Sequence, residues 1–291
     1  MQDEMVGIIG GTGVGDAVLA LIEDVEHREI DTPFGRPSGP IAVGRLGARK
    51  VAFLSRHGRG HTLSPSEVPY AANVFALKKL GVTTLIASGA VGSLRENIAP
   101  RDLVVVDQFI DKTYRRQSSF FSGFAAVHCE FSHPCCQRLR SKILRAAATI
   151  DAVTHDKGVY VCMEGPQFST RAESLMHRQW GGDLIGMTAM PEARLAREAQ
   201  MCYALIALAS DYDCWKEHDP AKGKQALLEE IIANLQAATN NAAKLLTAVL
   251  STDGSLCDDT CPCRRSLELA VWTGADVIDA HKKESLSVLF E

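Results

Sequence analysis

Several short segments of this sequence concentrate residue types that hold anions or move protons. The first is Gly7-Ile8-Ile9-Gly10-Gly11-Thr12-Gly13-Val14-Gly15. Glycines let backbone N–H groups crowd round an anion, and the Thr12 hydroxyl adds a donor. No register of this segment gives the dinucleotide pattern with its following acidic partner, and no Lys-Ser/Thr pair completes a Walker loop. An anion-binding turn and a purely structural turn both fit. The second segment, Ser55-Arg56-His57-Gly58-Arg59-Gly60-His61, follows an apolar run. Arg56 offers a planar fork that suits phosphate oxygens, and His57 can donate to the same anion or organise it. A solvated basic loop is the plainer alternative. The position at a strand end, where ligand sites of α/β sheets gather, weighs against it.

Two further segments offer close approach and a hydroxyl. Ser88-Gly89-Ala90-Val91-Gly92-Ser93 ends another apolar run, and its small residues let a ligand reach the backbone at Gly89 and Ala90. Thr188, in Ile185-Gly186-Met187-Thr188-Ala189-Met190-Pro191-Glu192, either caps a proline-started helix or gives its hydroxyl to a ligand. The last segment is Ser210-Asp211-Tyr212-Asp213-Cys214-Trp215. Carboxylates two residues apart face the same way if the strand before them continues. Like charges held close raise one pKa, which keeps a protonated acid available near neutral pH. A turn or cap using Asp is the alternative, and Asp-Tyr-Asp alone is thin support for a metal.

The elements that must position these groups alternate along the chain. Met5–Ile9, Val51–Ser55, Thr84–Ala87, Leu103–Val106, Gly158–Cys162 and Ala204–Ser210 read as buried strands. Tyr70–Leu80, Pro134–Ala148, Thr170–Trp180 and Pro191–Met201 read as helices, the third capped by Ser169 with Glu173 in its first turn. Lys222–Leu250 is the clearest helix, with Leu228, Ile231, Leu235, Ala238, Ala242, Leu245 and Val249 along one face. Arg115–Phe131 reads as a long loop, Ser251–Cys263 as another, and Arg264–Trp272 as a short helix. The fold class that follows is α/β: a single domain over 1–291 with a central mixed sheet flanked by helices. Residues 251–291 form a cysteine-containing extension packed on it.

Composition narrows the function classes. The chain has 291 residues and a formal net charge of −4, so there is no basic field to hold nucleic acid or an anionic membrane. No apolar run approaches the ~20 residues of a bilayer span. Met1-Gln2-Asp3-Glu4 lacks the basic start of a secretory leader. Of nine cysteines, six scattered through apolar contexts read as reduced thiols, which predicts a cytoplasmic protein. Cys257, Cys261 and Cys263 cluster near the C-terminus but are one ligand short of a usual zinc site, so no metal is expected.

Taken together, Gly10-Gly11-Thr12-Gly13, Arg56-His57-Gly58, Ala90-Val91-Gly92-Ser93-Leu94, Glu164-Gly165-Pro166-Gln167-Phe168-Ser169-Thr170-Arg171-Ala172-Glu173, Gly186-Met187-Thr188 and the Ser210–Trp215 segment occur in an order seen elsewhere. From Val6 to about Leu250 the chain resembles the trimeric purine nucleoside phosphorylases, and within them the branch that cleaves 5′-methylthioadenosine. The resemblance implies a nucleoside phosphorylase-like fold and phosphate-dependent cleavage of the N-glycosidic bond, giving adenine and 5-methylthioribose 1-phosphate. It assigns phosphate contacts to Thr12, Arg56, His57, Gly89, Ala90 and Thr188. It assigns base and ribose contacts to Phe168 and Met187, with Asp211 and Asp213 reading the purine as the catalytic pair. His128 is given to the ribose of a neighbouring subunit, in a trimer or dimer of trimers. Ser169, Leu228 and Ile231 set specificity, the last two as an apolar wall for a methylthio group.

The resemblance also implies a purine nucleoside and phosphate as the only small-molecule partners, with no cofactor. Relatives that prefer 6-oxopurines carry Asn where this chain has Asp211, which favours a 6-aminopurine here. Departures are Gly89, where relatives often carry Ser or Thr, and Leu228, larger than the usual Val. Archaeal-type relatives carry a Cys-x-Cys in the tail that a disulfide can use; free thiols are expected here. The readings it competes with are a phosphorylase for adenosine, 5′-methylthioinosine or inosine, and a nucleoside-binding protein without catalysis.

Overall fold

The computed structural model describes residues 4–11, 13–217, 223–274 and 276–290, so Thr12 lies outside the described residues. In chain order the first half forms β1 (Met5–Gly10), α1 (Val14–Leu19), β2 (Glu23–Arg28), β3 (Ile41–Leu46), β4 (Arg49–Ser55), α2 (Tyr70–Lys79), β5 (Thr84–Ser93), β6 (Leu103–Val105) and β7 (Gln108–Asp111). The second half forms α3 (Gln137–Ala147), β8 (Thr154–His155), β9 (Val159–Cys162), α4 (Arg171–Gln179), β10 (Leu184–Gly186), α5 (Glu192–Glu198), β11 (Cys202–Tyr212), α6 (Lys224–Leu250) and α7 (Ala280–Ser285).

The strands form one mixed sheet. β1 lies parallel to β4 and β5, β5 parallel to β11 and antiparallel to β10, and β11 antiparallel to β6. Period-2 alternation explains why the central strands are apolar throughout. In β11, Tyr203, Leu205, Ala207 and Ala209 enter one core cluster, while Cys202, Ala204, Ile206 and Leu208 enter the other. Both faces are covered, as parallel strands require. α2 and α5 cover the first face and α1, α3 and α6 the second. The expected single domain with a mixed sheet is the fold observed. No helix among the described residues is long and apolar enough to cross a membrane.

Element boundaries moved where local chemistry overrides hydrophobic pattern. The cap of α4 is Thr170, not Ser169: Thr170 Oγ1 accepts from Glu173 N–H, and the Glu173 carboxylate accepts from Thr170 N–H. The helix expected over Arg264–Trp272 is only a 3₁₀ turn at Pro262–Arg265. Val271 bridges to Val127 instead, and Trp272 N–H donates to Ala126 O at 2.9 Å, which draws that end of the segment extended. α6 runs nearly as expected, but Leu228 in its first turns is 57% exposed, and burial begins at Asn234. The chain beyond α6 packs on both core clusters, Leu256 and Cys257 on one, Leu267 and Leu289 on the other.

Candidate active site

The C-terminal ends of the parallel strands bring the basic and small-residue segments together. β1 ends at Gly10, whose carbonyl accepts from Arg56 N–H at 3.0 Å, so the glycine turn and the Arg56 turn lie side by side. Arg56 is fully buried. Its Nε and Nη2 donate to the two oxygens of Glu192 at 2.8 and 3.0 Å, and its Nη1 donates to Ser88 O at 2.8 Å. Tyr203 Oη adds a hydrogen bond to Glu192 at 3.0 Å. Burial acts to lower the Arg56 pKa, but the Glu192 carboxylate more than offsets it and keeps the guanidinium charged. Gly11 must stay bare: a Cβ there would meet Ser88 O at 2.6 Å and Arg56 Nη1 at 2.8 Å.

His57 stands beside Arg56 with Nδ1 at 2.8 Å from Leu63 O and its ring stacked on His61 at 4.2 Å. A carbonyl only accepts, so Nδ1 carries the hydrogen. Burial pulls the His57 pKa down to about 4, with the Arg56 charge adding to the fall. The neutral ring therefore presents Nε2 as an acceptor; of the two expected roles, donating to the anion or organising it, this leaves the second. Ser88 is buried with an Oγ that has no hydrogen-bond partner. Thr188 Oγ1 lies 3.5 Å from the point where a side chain on Gly89 would begin, and the next residue along β5 is half-buried Ala90. Thr188 does not cap α5, whose cap position is Pro191. Arg56 and His57 thus follow β4, Gly89 and Ala90 lie in the second half of β5, and Thr188 follows β10, with β1 between β4 and β5 and β10 beside β5.

The carboxylates sit at the end of β11. The register shifts between Ala209 and Asp211, so Ser210 is an extra residue and the strand bulges there. A bulge re-aims the side chains that follow it, and β11 ends at Tyr212, so Asp213 lies beyond the strand and the alternation expected for Asp211 and Asp213 does not carry through to it. Ser210 Oγ donates to Asp211 Oδ1 at 2.7 Å. Asp213 is buried, its N–H bonded to Ser93 O at 2.9 Å, and its Oδ2 has no hydrogen-bond partner. A buried carboxylate oxygen left without a donor is costly unless a ligand supplies one. Trp215 Nε1 donates to the same Ser93 O at 2.8 Å and fixes the turn beyond.

A loop between β9 and α4 closes toward these residues. Its anchor is Glu164, which accepts from Tyr114 N–H at 2.7 Å, Arg116 Nε at 3.3 Å and the Ser66 hydroxyl. Arg116 Nη1 also donates to Met187 O and Met190 O, each at 2.6 Å, so one guanidinium ties this loop to the Thr188 segment. Ser169 O accepts from Cys214 Sγ at 3.2 Å, which joins the loop to the turn after Asp213. Met187 is partly buried beside Thr188, whereas Phe168 is 85% exposed.

α6 approaches the glycine turn. Gly13 has a positive φ of 84°, and a Cβ on it would meet Thr239 Oγ1 at 2.7 Å and Leu235 Cγ at 3.6 Å. Ile231 and Leu228 precede Leu235 by four and seven residues, so they continue the same helical stripe outward. His128 is apart from this group. It is exposed, its N–H bonds Ala270 O at 2.8 Å, and its ring packs edge-on against Trp272 at 4.9 Å.

Sequence reasoning missed Glu192 and Arg116 as site-building residues. Glu192 was legible only as the second residue of a proline-started helix. Arg116 lay in the stretch read as featureless loop, and its partners are 46 to 74 residues away.

A family model, the phosphorylase superfamily, matches residues 5–251. The S-methyl-5′-thioadenosine phosphorylase of Cereibacter sphaeroides is 46% identical over 269 residues, 92% of this chain and 91% of that one. That of Koribacter versatilis is 42% identical over 290 residues, 99% and 96% of the two chains. Among solved structures, a methylthioadenosine phosphorylase sourced from an Antarctic soil metagenomic library superposes with a TM-score of 0.86 at 39% identity, covering 99% of both chains. A variant adenosine/methylthioadenosine phosphorylase from Schistosoma mansoni, in complex with methylthioadenosine, gives 0.77 at 36% identity over 85% and 91%.

Proposed function

Because the chain belongs to the phosphorylase superfamily, and within it to the S-methyl-5′-thioadenosine phosphorylases, we propose that it cleaves 5′-methylthioadenosine with inorganic phosphate. The products are adenine and 5-methylthioribose 1-phosphate. The observation that carries the reading is the pairing of a buried, fixed Arg56 at one strand end with a buried, donor-less Asp213 oxygen at another. The first suits an anion and the second a donor on a base.

In the proposed reaction phosphate lies against the Gly10–Gly13 turn, Arg56, Gly89, Ala90 and Thr188. The hydrogen of monohydrogen phosphate is accepted by His57 Nε2. The C1′–N9 bond breaks ahead of attack, and the phosphate charge stabilises the oxocarbenium-like ribosyl group before its oxygen bonds C1′. The electron pair leaves with the base, and Asp211 donates a proton or strong hydrogen bond to N7. Asp213 Oδ2 accepts from the 6-amino group. Met187 and Phe168 line the base and ribose, Ser169, Leu228 and Ile231 shape the 5′ end, and Thr12 adds its hydroxyl to the phosphate site. No metal or organic cofactor takes part at the bond being broken.

We further propose a cytoplasmic trimer or dimer of trimers. The exposure of Phe168 and His128 supports it, since a neighbouring subunit would cover both side chains. A second substrate, adenosine, is favoured by the 57% exposure of Leu228, which leaves the 5′ wall open at its outer end. Comparing kcat/KM for 5′-methylthioadenosine, adenosine and inosine at saturating phosphate tests the reading. Methylthioadenosine is expected first and inosine last; a preference for inosine would overturn the role given to the Asp pair.

A further inference from the structure

Five cysteines from three distant parts of the chain meet on the α3–α6 side of the sheet. Cys136 holds the N-cap position of α3 and is tied to β11 by its N–H bond to Tyr203 O at 2.8 Å. Cys202 opens β11, and Cys257, Cys261 and Cys263 come from the segment after α6. All five are buried free thiols. The Sγ atoms of Cys136, Cys202, Cys261 and Cys263 lie within 4.8 Å of one another. Cys136 Sγ is 3.5 Å from Cys261 Sγ and 3.8 Å from Cys257 Sγ.

These separations are those of a ligand set. A zinc ion held by four thiolates at about 2.3 Å spaces the sulfurs about 3.8 Å apart, and the cluster's separations bracket that edge. The tail alone is one ligand short, which is why its spacing predicts no metal. The fold supplies the missing ligands from Cys136 and Cys202, neither of which carries any sequence sign of belonging with the tail. At Cys136 the N-terminal end of α3 contributes partial positive charge. Arg264, next to Cys263, has a buried Nε with no acceptor. The phosphorolysis proposed above uses none of these sulfurs.

We propose that Cys136, Cys202, Cys261 and Cys263 form a four-thiolate site for zinc, which clamps the chain after α6 to α3 and β11. Binding displaces the protons of the four thiols and leaves a closed site without an open coordination position, so its role is structural. Cys257 stands beside Cys136 outside the set of four.

The full-length protein, produced in zinc-supplemented and separately in cobalt-supplemented medium and purified without chelator, provides the test. About one zinc per protomer is expected, with a sulfur-only shell near ~2.3 Å by X-ray absorption. The cobalt form is expected to show thiolate-to-cobalt charge-transfer and tetrahedral d–d bands. Cys257→Ser retains the metal, and Cys261→Ser with Cys263→Ser loses it. Should that double variant fail to fold, the wild-type spectra decide by themselves. Wild-type protein well below one equivalent, or lacking the charge-transfer band, overturns the proposal. So does an intact mass two hydrogens lighter for each disulfide. Neither result bears on phosphorolysis, which is measured separately.

Discussion

Arg56 shows how far a residue pattern reaches and where it stops. Its place after a strand, followed by His57, made a candidate anion site legible, because both the fork and the spacing are local. Glu192, the carboxylate that fixes the fork, is 136 residues away and has no local sign. Removing one partner of a buried charge pair leaves the other charge unpaired and costs about 3–5 kcal/mol. Glu192→Gln is therefore expected to lower the unfolding midpoint and raise the KM for phosphate more than that for the nucleoside. Thermal unfolding with phosphate titrations checks this; an unchanged phosphate KM in a folded variant contradicts the positioning role. Asp211→Asn should lower kcat/KM for adenine nucleosides by about 10²–10⁴, the scale of a lost general acid, and shift relative preference toward 6-oxopurines. Unaltered kinetics on methylthioadenosine would remove Asp211 from the chemistry.

At the scale of elements, strands buried on both faces were readable as continuous apolar runs, whereas β2 was not. Its residues Glu23-Asp24-Val25-Glu26-His27-Arg28 are all exposed at the sheet edge, so no hydrophobic pattern marks it. The loop before α4 was legible as a motif, but its anchor was not, since Arg116 reaches it from a segment without periodicity. Arg116→Met removes five carbonyl and carboxylate ties while keeping the aliphatic stem. We expect a higher nucleoside KM with little change in phosphate KM, and faster proteolytic cleavage within 164–170. Equal proteolysis of both proteins would contradict the anchor. The outer stripe of α6 makes a separate prediction. Leu228→Ala widens the 5′ wall and should lower the ratio of kcat/KM for methylthioadenosine over adenosine, by several-fold on the scale of lost methylene burial. A ratio that does not fall would take Leu228 out of the specificity wall.

For the whole molecule, alternation of strands and helices sufficed to place the fold class, because a sheet covered on both faces leaves its signature in every central strand. What lay outside that pattern is long-range pairing: the tail across both core clusters, the cysteines, and buried acids. Glu198 is one such acid, 8% exposed, accepting from Phe120 N–H at 2.7 Å. Burial pushes its pKa up to about 7 from an ordinary value of 4.5. The folded state then binds the proton more tightly than the unfolded chain. This contribution is fully present below about pH 4.5 and is lost as pH rises through 7, on the order of 3 kcal/mol in all. Glu198→Gln keeps an acceptor for Phe120 and removes the titration. Urea unfolding at several pH values across that window should show a smaller fall in stability with pH for the variant than for wild type. Identical pH slopes would contradict the assignment.

The central claim is that phosphate, not water, takes the ribosyl group, and it is tested by incubating the purified protein with 5′-methylthioadenosine with and without inorganic phosphate and following adenine. The account predicts adenine release that requires phosphate and yields a stoichiometric amount of 5-methylthioribose 1-phosphate. Adenine released equally without phosphate, or none released from any purine nucleoside with it, would contradict the account.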